Sequence, residues 1–517
     1  MRADLNDTVT IGRRLDLREV VRIARGDAKV ALHPDARQRL AATRAQLEAG
    51  LVAGKTIYGV NTGFGALSDT PVPTDRLADL QRNLLRSHAV GVGEPLPQDV
   101  VRALLALRAH TLALGHSAVT PGLLDALLAL LDAGVVPVVP RQGSVGASGD
   151  LAPLAHLALP LIGEGEAWVE GRRMPGAEAL AAVGLSPIEL RPKEGISLIN
   201  GTQVTSVIGT LATVAASELM ASADAIGALS LDASLGTVAA FDPRVHAGKP
   251  HPGQVRTADN VRALVAGSLL NASHKDCGQV QDAYAYRCMP QVHGAVRGAL
   301  RYVAGALTIE LNSLTDNPLV LANDDGTYDV VSGGNFHAAT VAVPIDHLSA
   351  ALTTLATISE RRLERFMNEH TSRGLPPFLA DDPGVESGFM MAQVTASALA
   401  SECKTLSFPA SVDSIPTSAG KEDHVSMGPI AALKLRRVVD NVARCLAVEA
   451  VVAARAVDMR GVETSARLRR VYDVVRRYVA PWTGDRSLSA ELEALAEAML
   501  RGELREAAGL PDELSWE

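Results

Sequence analysis

Three consecutive small residues, Ala147-Ser148-Gly149, carry the groups that a backbone needs to react with itself. In a tight turn, the amide nitrogen of Gly149 can attack the carbonyl carbon of Ala147 and close a five-membered ring. Gly149 has no Cβ, so its nitrogen can approach a carbonyl in strained dihedrals. Loss of two waters then leaves an exocyclic methylene where the Ser148 hydroxyl stood. The product is an electrophile, which ordinary side chains do not supply, although the same three letters alone are more typical of a surface turn.

The glycine-rich segment Tyr58–Gly65 offers a phenol that can act as a base. An ordinary surface turn anchored by a tyrosine has the same composition. A phenol titrates at about 10 in water, so a catalytic base of this type needs a neighbouring positive charge or hydrogen-bond donor. We interpret the segment as a mobile lid that presents Tyr58 to a substrate.

Three polar residues elsewhere have both a structural and a functional interpretation. His88 ends the amphipathic stretch 81–89 and is, on its own, typical of a structural histidine. Asn200 precedes Gly201 and is compatible with a helix cap. Glu422 begins a Glu-Asp-His cluster that a helix dipole would stabilise at a helix start. The residue types alone leave these alternatives open.

The segment 281–288 places Gln281, Tyr284 and Arg287 about one turn apart if it is helical, so that they share a side. The planar fork of Arg287 is suited to gripping a carboxylate through paired hydrogen bonds. An ordinary salt bridge is the alternative for this arginine.

The segments described above belong to a series of motifs that occur in the same order in a known protein family. The series also includes residues 143–154, 194–202, 332–337 and 411–428. They resemble the aromatic amino acid ammonia-lyases from about residue 10 to beyond residue 430. The resemblance implies that Ala147-Ser148-Gly149 forms a 4-methylidene-imidazol-5-one (MIO) cofactor autocatalytically, and it implies no metal.

The resemblance also implies a role for each site residue. Tyr58 removes the β-proton of the substrate, and Arg287 fixes its carboxylate. Asn200 and Tyr284 orient the substrate and the cofactor, while His88 and Glu422 recognise an imidazole ring. The expected catalytic residues are Tyr58, Ala147, Ser148, Gly149 and Tyr284, and the expected substrate-binding residues are His88, Asn200, Gln281, Arg287, Phe336 and Glu422.

The Ser87-His88 pair resembles the histidine branch of the family. We therefore expect conversion of L-histidine to trans-urocanate and ammonia, the first step of histidine degradation. A tyrosine or phenylalanine ammonia-lyase, or an aminomutase with the same cofactor, is the nearest alternative. A non-catalytic helical assembly protein is a remote one. The resemblance further implies a homotetramer whose active sites each combine several subunits.

Two stretches depart from the family pattern. Ala338-Ala339-Thr340 replaces the expected Gly-Glu-Pro, and Gly420-Lys421 replaces the more usual Asn-Gln before Glu422. The second departure places a cation beside a carboxylate that is expected to contact the substrate, and it therefore bears on substrate preference.

The composition favours a helical, soluble protein. The chain has 517 residues, of which 47% are hydrophobic and only 3% aromatic, so its core must be rich in Ala, Leu and Val. A formal net charge of −9 argues against nucleic-acid binding. Residues 1–7 lack the apolar core of a secretion signal, and Val207–Leu231, which contains charged residues, is more typical of a buried helix than of a membrane span.

The cysteines predict neither a zinc site nor a redox pair, because none of them forms a CxxC pair. They are Cys277, Cys288, Cys403 and Cys445. Together with the absence of a targeting signal, this indicates a cytoplasmic protein that has no membrane or nucleic-acid partner.

The periodicity predicts a mainly α fold. We expect a long-helix bundle body and a smaller mixed α/β N-terminal domain that carries the cofactor loop, with domains at residues 1–200 and 201–517. The expected helices are Val100–Leu114, Leu123–Ala133, Val204–Leu231, Gly294–Leu314, Ala338–Arg365 and Val425–Val457, and the expected strands are Val135–Val139 and Tyr328–Val331.

Overall fold

The structure is a computed structural model that describes residues 8–274, 280–325 and 327–515. Residues 1–7 and Cys277, on which sequence expectations were based, lie outside the described residues. The chain forms two compact units. The first unit contains residues 1–211, 305–345 and 409–433, and the second contains residues 212–304, 346–408 and 434–517. The first unit thus takes in segments from both sides of residue 200, and the domain boundary expected there stays a prediction.

Short helices dominate the N-terminal part of the chain. They are α1 (Leu17–Arg25), α2 (Ala36–Val52), α3 (Leu77–His88), α4 (Gln98–Ala113), α5 (Pro121–Asp132), α6 (Leu151–Ala158), α7 (Gly176–Ala182) and α8 (Glu194–Ile199). The start of α5 follows directly from the sequence. Thr120 caps it by accepting a hydrogen bond from the Leu123 N–H, and Pro121 occupies the first turn, where no backbone donor is needed.

The remaining chain contains the four longest helices that the structure describes, together with shorter ones. They are α9 (Gln203–Ala233), α10 (Pro243–Ala247), α11 (Pro252–Val265), α12 (Leu269–Ala272), α13 (Tyr284–Arg287), α14 (Met289–Leu311), α15 (Ala339–Met367), α16 (Met390–Leu406), α17 (Gly428–Arg460), α18 (Ala466–Tyr478), α19 (Ser489–Leu500) and α20 (Glu503–Ala508). The four longest are α9, α14, α15 and α17. The six helices expected from the periodicity correspond to α4, α5, α9, α14, α15 and α17, with ends shifted by a few residues. The mainly α fold is confirmed.

The helix α9 is long and apolar enough to cross a membrane by length and composition, as is α15. However, 94% of the most apolar window of α9 is buried inside the protein. Its Asp224 accepts hydrogen bonds of 2.8 Å from His293 Nδ1 and 2.8 Å from Arg297 Nη2. A buried carboxylate with partners of this kind fits a protein core, as expected for Val207–Leu231.

The strands are short and are concentrated in the N-terminal part. They are β1 (Thr8–Ile11), β2 (Lys29–Leu32), β3 (Val92–Pro95), β4 (Val136–Pro137), β5 (Pro140–Gln142), β6 (Glu166–Val169), β7 (Arg172–Pro175), β8 (Leu319–Ala322) and β9 (Tyr328–Val331). β1 pairs with β2 in parallel, whereas β3–β5, β4–β6–β7 and β8–β9 are antiparallel. The expected strand Tyr328–Val331 is confirmed as β9, and Val135–Val139 shortens to β4.

Candidate active site

The Ala-Ser-Gly segment lies in the first unit, in the loop between β5 and α6. Ala147 is 6% exposed and packs against Val425 and Met427. The Met427 N–H donates a 2.8 Å hydrogen bond to the carbonyl of Val145. The turn is therefore held from one side by a segment that lies far along the chain.

Gly149 holds the other side of the turn. It has a φ of +85°, which is left-handed, and it forms a parallel bridge with Gly201. The next N–H, that of Asp150, donates to the Gly201 carbonyl at 2.7 Å. The loop after β5 is thus pinned to the chain between α8 and α9.

Asp150 is fully buried beneath this turn. Its carboxyl accepts hydrogen bonds from the Thr205 N–H at 2.9 Å and from Thr205 Oγ1 at 3.2 Å. Burial raises the pKa of Asp150 to about 7, and the bonds from Thr205 oppose that shift. A carboxyl group with a pKa in this range is partly protonated at neutral pH.

Ser148 and Glu422 are in direct contact. Ser148 Oγ donates a 2.6 Å hydrogen bond to Glu422 Oε1. Thr417 Oγ1 donates one of 2.5 Å to the other carboxyl oxygen, Oε2, and the backbones of Thr417 and Glu422 pair in an antiparallel bridge. Both oxygens of Glu422 are therefore fixed in place.

His88 is the last residue of α3. Its Nδ1 lies 2.9 Å from the carbonyl oxygen of Leu84 and 3.1 Å from Ser87 Oγ. Burial lowers the pKa of His88, although the Leu84 carbonyl and the charge of Glu422 both raise it. Because a carbonyl only accepts, Nδ1 carries the hydrogen, and in the neutral ring Nε2 is left as an acceptor.

Tyr58 stands at the start of its glycine-rich loop. The N–H of Gly65 donates to the phenol oxygen at 3.2 Å, and the ring of Phe64 meets that of Tyr58 edge-on with centroids 6.4 Å apart. The loop also contacts Ser418, whose Oγ would lie 2.4 Å from a Cβ on Gly65. The lid is thus closed on the turn that precedes Glu422.

Asn200 is 3% exposed at the end of α8. Its Nδ2 donates to the carbonyl of Asn317 at 3.0 Å, while its Oδ1 is buried and has no hydrogen-bond partner among the described residues. The side chain of Asn317 in turn accepts a 2.8 Å bond from the N–H of Gly333. This chain of bonds connects Asn200 to the loop that carries Phe336.

These side chains line one cavity of about 460 Å³ within the first unit. Of the expected site residues, the cavity lining contains Tyr58, His88, Ser148, Asn200, Phe336 and Glu422. A cavity of this size accommodates an amino acid. The six residues come from segments spread over more than three hundred positions of sequence, and folding has brought them together around Ser148.

Gln281, Tyr284 and Arg287 belong to the second unit and are not in the cavity lining described above. Tyr284 and Arg287 form the single turn of α13, and the Arg287 guanidinium lies 4.5 Å from the centroid of the Tyr284 ring. Tyr284 is 70% exposed. The two side chains therefore share a side, as expected, and the tyrosine ring is open to solvent in the single chain.

Comparison with known proteins assigns the family. The sequence model of aromatic amino acid lyases matches residues 15–477. The histidine ammonia-lyase of Sorangium cellulosum (strain So ce56) is 52% identical over 96% of this chain and 97% of its own length. That of Anaeromyxobacter sp. (strain K) is 51% identical over 95% of this chain and 98% of its own length. The chain belongs to the aromatic amino acid lyase family.

Solved structures agree with this assignment. The histidine ammonia-lyase of Trypanosoma cruzi superimposes with a TM-score of 0.90 at 39% identity, over 98% of this chain and 96% of that one. A tyrosine aminomutase from Streptomyces globisporus gives a TM-score of 0.91 at 39% identity, over 97% and 98% of the two chains. The fold is therefore shared by lyases and aminomutases of the family.

The two departures from the family pattern lie close to cavity-lining residues in the sequence, the first after Phe336 and the second before Glu422. Thr340, in the first turn of α15, donates from Oγ1 to Glu310 at 3.2 Å. Lys421 follows the turn Ser418–Gly420, and its N–H donates to the Ser418 carbonyl at 3.1 Å while its side chain is exposed. Lys421 is thus joined through its backbone to the turn that precedes Glu422.

Several residues that build the site were not predicted from the sequence. Fully buried Arg108 donates from Nη1 to the Asn200 carbonyl at 2.9 Å and to Gln203 Oε1 at 2.8 Å. Asn317 and Thr417 hold Asn200 and Glu422 in place, as described above. The Asn-Pro pair at Asn317 predicts a turn, but no local sequence pattern predicts which distant residue Asn317 forms a hydrogen bond with.

Proposed function

We propose that this protein is a histidine ammonia-lyase that converts L-histidine into trans-urocanate and ammonia, the first step of histidine degradation. Its family makes it a carbon–nitrogen lyase. Relatives named histidine ammonia-lyase match at 52% and 51% identity over nearly the whole chain. The observation that carries the substrate assignment is that His88 and Glu422 line the same cavity as Ser148.

The cofactor we propose is MIO, formed from Ala147-Ser148-Gly149. The chain fits such a group in two respects. Gly149 already has the left-handed backbone of a tight turn, and Ala147 is buried against a hydrophobic cluster. Once formed, the group supplies an electrophilic carbon that can take the amino group or the ring of a substrate.

Tyr58 is the base that removes the β-proton of the substrate. Its phenol oxygen lines the cavity and accepts a hydrogen bond from the Gly65 N–H at 3.2 Å. A backbone donor aimed at this oxygen stabilises the negative charge that builds up when the phenol gives up its own proton. Closure of the lid keeps bulk water away from that charge.

His88 and Glu422 recognise the imidazole ring of histidine. The neutral His88 ring offers Nε2 as an acceptor, and Glu422 offers carboxyl oxygens. A ring N–H of the substrate satisfies such acceptors, whereas a phenyl ring has no polar hydrogen and leaves them unpaired. Rejection of phenylalanine follows from the cost of buried, unpaired polar groups.

Asn200 and Phe336 complete the part of the site that the first unit supplies. The unpartnered Oδ1 of Asn200 is an acceptor suited to the ammonium group of an amino acid. Phe336 supplies an apolar wall of the cavity. Both side chains orient the substrate relative to Ser148.

Gln281, Tyr284 and Arg287 bind the substrate carboxylate, and we infer that they do so in a homotetramer in which a second copy completes each site. Support comes from the exposure of Tyr284 and from Arg287 Nε, which is buried without a partner among the described residues. Among the residues that the structure describes, no arginine or lysine lines the cavity of one chain. A carboxylate needs such a cation, so another copy is the natural source.

Substrate assays distinguish this function from its nearest alternatives. The purified protein is incubated with histidine, tyrosine or phenylalanine while ultraviolet absorbance and released ammonia are followed. A urocanate band and ammonia with histidine alone support the proposal. An aminomutase, which the similarity to tyrosine aminomutase makes the second candidate, instead produces a β-amino acid without stoichiometric ammonia. We also propose a cytoplasmic location, which fractionation of the producing cells tests.

A further inference from the structure

The contact between Ser148 and Glu422 exists in the chain before any ring has closed. Ser148 Oγ donates to Glu422 Oε1 at 2.6 Å. This hydroxyl is the group that leaves when the cofactor forms. The carboxyl group of Glu422 is therefore within hydrogen-bonding distance of the leaving atom itself.

Departure of the hydroxyl requires a proton. Hydroxide is a poor leaving group, whereas water is a good one, so Oγ must gain a second hydrogen as the Cβ–Oγ bond breaks. A group that supplies it must lie within about 2.6–3.2 Å of the oxygen, and carboxyl groups commonly fill this role. Glu422 meets the distance: when Oε1 is protonated, the 2.6 Å contact reverses and Oε1 donates to Ser148 Oγ. Thr417 still donates to the second oxygen at 2.5 Å and keeps the carboxyl group in position.

We propose that Glu422 is the general acid that completes the cofactor, a role in addition to substrate binding. The inference rests on the proposed cyclisation of residues 147–149. First, Gly149 N bonds to Ala147 C. The Ala147 oxygen then leaves as water, together with the amide hydrogens of Gly149 and Ser148. Then the Cα proton of Ser148 passes to solvent, and its electron pair forms the Cα=Cβ bond. The Cβ–Oγ bond breaks, Oγ leaves as water with the proton of Glu422, and solvent restores that proton.

Completion of the cofactor also changes Glu422. The methylene that replaces the hydroxyl has no polar hydrogen, so Oε1 loses the donor that it had in the precursor. The oxygen thereby becomes free to accept from a substrate ring, while Thr417 still holds Oε2. One carboxyl group thus serves maturation first and recognition afterwards, and an immature chain has this recognition oxygen occupied.

The test is the intact mass of the full chain, which does not depend on turnover. Wild-type protein, Glu422→Gln and Asp423→Asn are produced in parallel, and mass spectra are taken at intervals after synthesis. The glutamine keeps an acceptor for Ser148 but has no acidic proton to give. We expect its last water to be lost about a hundredfold more slowly than in wild type. Asp423→Asn, which changes the neighbouring exposed carboxylate, should mature at the wild-type rate.

Chemical rescue separates an acid from a structural support. Acetate is added to Glu422→Ala, where the truncated side chain leaves room for it beside Ser148. Faster loss of the last water with rising acetic acid concentration supports the proposal, and this variant also serves if Glu422→Gln does not fold. If Glu422→Gln loses both waters as quickly as wild type, the inference is wrong. It is also wrong if Asp423→Asn loses its last water as slowly as Glu422→Gln does. If wild type itself retains the full sequence mass, the proposed cofactor fails instead.

Discussion

Gly149 and Gly201 approach so closely that a Cβ on Gly149 would lie 2.4 Å from both the nitrogen and the carbonyl oxygen of Gly201. No side chain fits in that space, and the φ of +85° at Gly149 is itself unfavourable for a residue with a Cβ. The adjacent Asp150 N–H bonds to the Gly201 carbonyl at 2.7 Å. The contact thus fixes the residue whose nitrogen must attack Ala147.

Gly149→Ala should prevent both the turn and the cofactor. We expect a chain that keeps its full sequence mass, has no measurable turnover and unfolds at a lower temperature, because the methyl group must displace Gly201. Gly171→Ala is the matched control, since Gly171 has a φ of +76° but open space around its Cβ position. It should lose about 1–2 kcal/mol of stability, the cost of a left-handed backbone for alanine, and mature normally. A mature Gly149→Ala chain contradicts the argument.

His88→Leu should weaken recognition of histidine without affecting maturation. The variant removes the Nε2 acceptor and leaves the substrate N–H unpaired, so kcat/KM for histidine should fall about a hundredfold, which corresponds to about 3 kcal/mol. Steady-state kinetics with histidine and phenylalanine measure the change. Turnover of phenylalanine should not fall with it.

Ser87→Ala is the control for this variant. Ser87 Oγ touches His88 Nδ1 at 3.1 Å, but the Leu84 carbonyl at 2.9 Å still fixes the ring when the serine is truncated. Its kcat/KM for histidine should stay within about tenfold of wild type. An unchanged His88→Leu enzyme would remove His88 from substrate recognition.

Local sequence signals predicted the helical architecture well because their physical causes are local. The Thr-Pro pair at the start of α5 is one case: a capping hydroxyl and a residue without an N–H act within one turn. The apolar content of α9 is another, since it persists over the whole helix. The strands were harder to predict, because two-residue β4 exists only through its pairing with β6.

In the site too, residues with a local sequence signal were predicted, whereas residues that act through distant contacts were not. Tyr58, His88 and Glu422 were identified from motifs, and the structure places them around one cavity. The residues that hold the site in place were not found from the sequence. Thr417 fixes Glu422 through a backbone bridge, and Arg108 bonds to Asn200 across some ninety positions of sequence. Such contacts depend on the finished fold and leave no local pattern in a single sequence.

Mixed assemblies test whether each active site combines different copies. Ser148→Ala and Arg287→Ala should each be nearly inactive, the first without the cofactor and the second without its carboxylate anchor. When the two variants are produced together in one cell, some sites pair an intact Ser148 with an intact Arg287 from the other chain. We expect activity to return to a fraction of wild type, measured as urocanate formation by the purified mixture.

The controls for this experiment use the same variants. Mixing the two proteins after separate purification should restore little activity if assembled copies do not exchange. Size-exclusion chromatography verifies that both variants assemble. If the coproduced variants stay as inactive as the separate ones, Ser148 and Arg287 of a single chain must act together. The proposal that two chains share each active site is then wrong.

His110 should make the folded protein sensitive to acid. This fully buried residue accepts a hydrogen bond from the Gly12 N–H at 3.2 Å, and its Nε2 has no partner in the described part of the chain. Burial lowers the pKa of His110 from 6.5 to about 4. The unfolded chain therefore binds a proton between these values that the folded chain rejects, so stability is complete above pH 6.5 and falls as the pH drops towards 4.

His110→Asn isolates this contribution, because the asparagine oxygen can still accept from Gly12 but does not titrate in the same range. Between pH 7 and pH 5, wild type should lose about 2 kcal/mol more stability than the variant, measured by urea unfolding at each pH. Buried Asp150, whose pKa is raised to about 7, titrates in both proteins and cancels in the comparison. Parallel pH profiles for the two proteins would show that His110 keeps an ordinary pKa, which would mean that water reaches its ring.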